Sequence, residues 1–143
     1  MDLSWRNGLM LGPRKEKYRK QFRGKMRGKA LRGSQVAFGE YGLKAVTGGW
    51  ISGREIEAAR KKITFMTKRA GKYWVRVFPQ KPVTKKPVGV KMGSGKGPVD
   101  EHVAVVKPGA IIFELSGVTP EIAQAAFTKA GHKLSVKTTL VSK

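Results

Sequence analysis

The sequence predicts an α+β fold: two helices packed on a mostly antiparallel sheet, with a basic extended N-terminal arm and a basic Gly-rich loop attached. Three observations predict it. Two segments hold apolar stripes of helical period between N-cap and stop signals. Runs rich in Val, Ile, Tyr and Phe surround them, bounded by glycine and proline. Two stretches, 1–35 with eleven cations and 79–99 with five, sustain no apolar period.

Taken in order, residues 36–46 read as β structure, with a bulge or tight bend expected at Gly39 and Gly42. The first helix opens on Ser52 and Glu55, an S-x-x-E capping box in which each side chain satisfies a backbone N–H of the other. Gly71 is its expected stop. Ile56, Ala59, Ile63, Met66 and Ala70 recur at steps of three and four, the spacing of one buried face. Arg54, Lys61, Lys68 and Arg69 fall roughly opposite, together with Phe65. Residues 73–78 alternate as a strand, and Pro79, Pro82 and Pro87 stiffen the path beyond it. Residues 102–107 and 110–115 read as two strands of a hairpin, with Pro108 and Gly109 in type II turn positions. The second helix has Thr119 as N-cap, Pro120 at its first position and Gly131 as stop. Ile122, Ala126 and Ala130 are its expected inner face. Residues 133–141 form the last strand. The organisation is therefore an arm, 1–35, extended or disordered until bound, and one globular domain, 36–143, that contains the 79–99 Pro/Gly/Lys loop.

The charge balance narrows the partner. The chain has 143 residues and 30 Lys+Arg against 9 Asp+Glu, a formal net charge of +21. Self-repulsion of that size opposes compaction, so a permanent polyanionic environment is the simplest reason to carry it. Each cation that neutralises a phosphate releases condensed counterions, which favours nucleic acid irrespective of sequence. The arm holds Arg6, Arg14, Lys15, Lys17, Arg19, Lys20, Arg23, Lys25, Arg27, Lys29 and Arg32 against Asp2 and Glu16. Tyr18 and Phe22 sit among them, four apart, spaced for a short helical face or for stacking on bases. The loop carries Lys85 and Lys86, then Lys91, Met92, Gly93, Ser94, Gly95, Lys96 and Gly97, where alternate glycines let the backbone approach a partner closely. In the basic sector of the first helix, Phe65 is either folded back on the core edge or stacked on a nucleobase.

Other chemistries are poorly supported. Without cysteine there is no disulfide, zinc–thiolate site or thiol nucleophile. His102 and His132 have no sequence-local carboxylate or nucleophile pattern, and between Ala58 and Val99 there are twelve Lys/Arg and no acid. Asp100 and Glu101 are adjacent, which in a strand points them to opposite faces. No catalytic residue, metal site or cofactor is expected. The glycine loop lacks the G-x-x-x-x-G-K-[ST] order and leads towards a strand, unlike a mononucleotide cradle. No apolar run approaches the length of a membrane span, and no secretory h-region opens the sequence, so a soluble protein is expected. Charge alone does not tell RNA from DNA.

Two stretches decide between them by resemblance. K-R-A-G-K-Y-W-V-R-V-F-P at 68–79 and K-M-G-S-G-K-G at 91–97 closely resemble the signature stretches of a bacterial-type large-subunit ribosomal protein family, L-sixteen (universal L-sixteen). Residues 10–15, 36–43, 56–60 and 137–139 are similar to it as well, so the resemblance runs from about Met10 onward. Lys91 departs from the arginine of many members, keeping the charge but losing the bidentate fork. It also removes the side chain that some members hydroxylate, so that modification is not carried over. Tyr73 stands in place of an aliphatic residue, and His102 at a position more often bulky or basic. Residues 1–9 precede the customary start.

The resemblance implies a non-enzymatic constituent of the large subunit, wedged among rRNA helices and joining late in assembly. It implies a glycine loop directed towards the peptidyl-transferase region and an arm near the A-site tRNA. The implied partners are large-subunit rRNA, A-site tRNA and neighbouring ribosomal proteins, in the cytoplasm of a bacterium or else in a mitochondrion or plastid. A free nucleic-acid chaperone or architectural DNA binder is the alternative.

Overall fold

A computed structural model describes residues 20, 28–30, 33–84, 96 and 99–143. Its elements run β1 (Tyr41–Ala45), β2 (Gly49–Ser52), α1 (Gly53–Thr67), β3 (Lys72–Val75), β4 (Lys81–Thr84), β5 (Val99–Val106), β6 (Ile111–Ser116), α2 (Pro120–Gly131) and β7 (Thr138–Ser142). Among the described residues, two helices and seven strands make the expected α+β fold. The strands form two sheets, ordered β3-β6-β1-β7 and β2-β5-β4, and every pairing is antiparallel.

The second sheet corrects the hairpin. The turn itself forms: Ala110 N–H donates to the Lys107 carbonyl at 3.1 Å, and Gly109 takes φ +97°. Yet β5 pairs with β2 and β4, whereas β6 pairs with β1 and β3. The turn's polar groups look outward instead of across a ladder. Gly109 N–H donates to the Ala45 carbonyl at 2.8 Å, and the Pro108 carbonyl accepts from Ala30 N–H at 2.9 Å. The segment is thus a crossing between sheets. Ile111 N–H also donates to the Gly33 carbonyl at 2.8 Å, so residues 30 and 33 are both bonded to it.

The core lies where the helices meet each other and the strands. From α1 come Ile56, Ala59 and Ile63, and from α2 Ala123, Ala126, Phe127 and Ala130. They pack with Leu43, Ala45, Ala104, Val106, Ile112, Phe113 and Leu115. Ile122 is 40% exposed, against expectation. At 100° per residue Ala123, Ala126, Phe127 and Ala130 fill one arc of about 100°, and Ile122 lies about 40° beyond its Ala126 edge. Strand β6 is covered on both sides, so Ile111 to Leu115 are all buried rather than alternating.

Both N-caps form as the sequence predicts. Ser52 Oγ accepts from Glu55 N–H while the Glu55 carboxylate accepts from Ser52 N–H, and Thr119 Oγ1 accepts from Ile122 N–H. Glu55 does more than cap, since its second oxygen accepts from Ser135 N–H at 2.8 Å. This holds 134–136 beside β2, with Leu134 and Val136 buried, and delays the last strand to Thr138.

The α1 stop also differs. The helix ends at Thr67, four residues before Gly71, and Ala70 is exposed. Lys68 N–H donates to the Phe65 carbonyl and Arg69 N–H to that of Thr64, the Schellman pattern, at 3.2 and 3.1 Å. Lys68 and Arg69 both adopt positive φ, 52° and 61°, which costs a side-chain-bearing residue about 1–2 kcal/mol. The other early strand is shorter than predicted. Residues 36–40 leave the ladder to wrap Glu114, and the only register shift in β1 falls between Leu43 and Lys44.

Candidate nucleic-acid interface

The outer face of α1 follows from its inner one. Once Ile56, Ala59 and Ile63 are committed to the core, Arg54, Lys61 and Phe65 must point away. They do: Arg54, Lys61, Lys68 and Arg69 are exposed, and Phe65 is 73% exposed. The two readings of Phe65 are thereby resolved against the core. An open surface depression is lined by Arg60, Lys61, Thr64, Phe65, Lys68 and Arg69. Lys62 Nζ sits over the Phe65 ring, 5.2 Å from its centroid.

Not every cation there is equally available. Arg60 is ion-paired with Glu57, and it donates to Tyr73 Oη at 3.4 Å. The Glu57 hydrogen bond holds its guanidinium still more firmly protonated than usual, against the opposing effect of burial. Arg60 is therefore a brace between α1 and β3, while Lys61, Lys68 and Arg69 project.

The arm and the loop meet at one described point. Lys20 Nζ donates to the Lys96 carbonyl at 3.1 Å, linking residues 76 apart. Lys29 is exposed and, with Ala30, borders the Pro108-Gly109 crossing. The remaining predicted contact residues lie outside the described residues: Arg14, Lys15, Lys17, Arg19, Arg23, Lys25, Arg27, Arg32, Lys85, Lys86, Lys91–Gly95 and Gly97.

One buried group escaped the sequence reading. Glu114, in the middle of β6, is 0% exposed. Its Oε1 accepts from the N–H groups of Ala37, Phe38 and Gly39 at 3.0, 2.8 and 2.9 Å, and its Oε2 is ion-paired with Arg76. Burial alone would push this carboxyl up. The N–H of Gly39, the Arg76 guanidinium and the N–H of Phe38 together outweigh it and hold the group below the usual carboxylate range. Phe38, so placed, stacks on Trp74 at 6.1 Å, with the Arg76 guanidinium 5.2 Å from its ring. The available signal was a lone acid inside an otherwise apolar run.

Among the described residues no group of three or more His, Asp or Glu could hold a metal ion, and no helix is long and apolar enough to cross a membrane. Fold and surface together define a polyanion-binding α+β protein: one helix anchors the core with one side and presents cations with the other. The family model for ribosomal protein L16p/L10e matches residues 13–141, and the chain belongs to that family. It is a structural, RNA-binding protein of the large ribosomal subunit, whose partners are that subunit's rRNA and proteins.

Proposed function

We propose that the protein secures the A-site side of the peptidyl-transferase region. In this reading the arm (1–35) and the α1 face neutralise rRNA phosphates. The loop at 91–97 runs close to RNA near the catalytic centre and helps position A-site tRNA. The protein joins late in subunit assembly and makes no covalent bond itself, and its ribosome is that of a bacterium. The observation that carries the proposal is the exposed trio Lys61, Lys68 and Arg69 beside a core-committed helix face. The Lys20–Lys96 bond adds support, because arm and loop converge there and their charges act on one stretch of RNA.

Phosphate neutralisation has a measurable signature. Replacing Lys61, Lys68 or Arg69 by Gln should weaken binding to large-subunit rRNA and lower the slope of log K against log salt by about 0.7–0.9 per lost contact. Unchanged slopes for all three would mean that this face is merely solvated. The tRNA role is tested separately by Gly95→Ala in subunits reconstituted around the protein. A-site tRNA binding should fall, and normal tRNA binding in fully assembled subunits would refute the assignment of the loop.

A further inference from the structure

We propose that Phe65 is a stacking platform for an unpaired nucleobase, so that the α1 face selects a bulged or looped-out nucleotide as well as neutralising phosphates. The inference rests on the rRNA-binding reading of this face and adds the kind of RNA element it takes.

Phe65 has no role in the core. The ring is 73% exposed, while the inward positions of α1 are filled by Ile56, Ala59 and Ile63. Its surroundings exclude the usual reason for an exposed aromatic. Apart from Phe65, the described residues that line the depression are Arg60, Lys61, Lys68, Arg69 and Thr64, none of them apolar, and Lys62 Nζ lies over the ring as a further cation. A protein partner bringing an apolar patch would have to strip water from those cations to reach a single ring, which is costly without paired acids. A nucleotide presents the opposite combination, a flat π face joined to a phosphate. The base can lie on the ring while the phosphates either side meet Lys61, one turn earlier, and Lys68 and Arg69, just beyond the helix end.

The Schellman ending supports the same arrangement. It halts the helix two residues after Phe65 and turns Lys68 and Arg69 into left-handed backbone, where they line the depression instead of continuing the helix. Paired RNA keeps its base faces stacked within the helix, so a fully paired duplex has no base to offer. The ring carries no hydrogen-bonding atom, so the site takes any base, with purines favoured by their larger face.

The test uses the full chain and two blunt-ended RNA duplexes with equal numbers of phosphates. One is fully paired, and the other carries a three-nucleotide purine bulge containing 2-aminopurine. The wild-type protein should bind the bulged duplex about 5- to 150-fold more tightly, the range expected for one base–aromatic stack, and should quench the 2-aminopurine. Phe65→Ala should abolish both effects while keeping the affinity for paired RNA, the salt slope and the melting temperature. Phe65→Trp should restore them.

A wild-type protein without bulge preference, a Phe65→Ala protein that retains it, or a failure of Phe65→Trp to restore it would each overturn the proposal. The phosphate reading fails on different evidence. A bulge preference that persists while the Lys61, Lys68 and Arg69 variants leave the salt slope unchanged sinks that reading and supports this one. A slope that falls as expected with no bulge preference does the reverse.

Discussion

Replacing Glu114 by Gln should be among the most damaging single-atom changes available in this protein. The substitution keeps an acceptor near the N–H groups of Ala37, Phe38 and Gly39 but removes the charge that strengthens those three bonds. It also turns an amide NH₂ towards the Arg76 guanidinium, setting donor against donor. Breaking one side of a buried ion pair typically costs about 3–5 kcal/mol, and hydrogen bonds to charged groups are worth about 1.5–3 kcal/mol each. We therefore expect a loss of about 3–5 kcal/mol at pH 7. At about 4 °C per kcal/mol for a domain of this size, the melting temperature should fall by roughly 10–20 °C. The pH dependence supplies an independent check. Because the folded-state carboxyl titrates below its ordinary value of 4.5, its stabilisation is complete above that value and lost as pH falls through the depressed one. Glu114→Gln has no such group, so the gap between wild type and variant should narrow in acid. Urea titrations at pH 7 and pH 3 measure both. A cost below about 1 kcal/mol at pH 7, or a gap equally wide at pH 3, would refute the reasoning.

Other substitutions probe the helix ends. Lys68→Gly relieves a left-handed side-chain-bearing residue at φ 52° and should stabilise the fold by about 0.5–1 kcal/mol while weakening RNA binding; destabilisation would show that the lysine stem packs more than it strains. Gly71→Ala should cost more than about 2 kcal/mol by chemical denaturation, since φ is +71° and the new Cβ would lie 2.1 Å from the Ser116 carbonyl oxygen. Ser52→Ala should cost about 1 kcal/mol through loss of the capping box, and a neutral result would mean that Glu55 holds the N-terminus through Ser135 alone.

What the sequence made legible was local. The Ser52–Glu55 capping box, the Thr119 cap with its N1 proline and the α1 stripe from Ile56 to Ile63 are written in steps of four residues or fewer, and these formed, whereas Ala70 fell beyond the helix end. The exposure of Lys61 followed from the same helical wheel. Lys68 and Arg69 were assigned to that face too, but they reach it by leaving the helix, which no wheel can foresee. The hairpin failed for the complementary reason. Pro108-Gly109 specifies a turn of four residues, whereas strand partners are chosen by packing with residues 33, 43 and 45, far away in sequence. Strands β2 and β4 are four residues each, and β4 has Pro82 as its second residue, so neither offers a period long enough to read. Ile122 was misassigned because an apolar side chain satisfies a stripe on paper without having to face the core. Glu114 was visible only as an oddity, since its partners come from residues 37–39 and 76.

The sheet order fixes when this protein can fold during its own synthesis. Strand β1 finds its neighbours β6 and β7 only about 70 and 100 residues later, and β2 waits about 55 residues for β5. Among the described strands, β4 with β5 is the one pairing that joins neighbours in chain order. At about 5–20 residues per second, β1 remains an unpaired edge for roughly 5–20 s before β7 exists. Unpaired edges on neighbouring nascent chains are the usual seeds of aggregation. Here each such chain also carries a large excess of positive charge, which repels its copies throughout that interval. The cations that suit the finished protein to RNA thus act earlier as well, keeping unfinished copies apart until their last strand arrives.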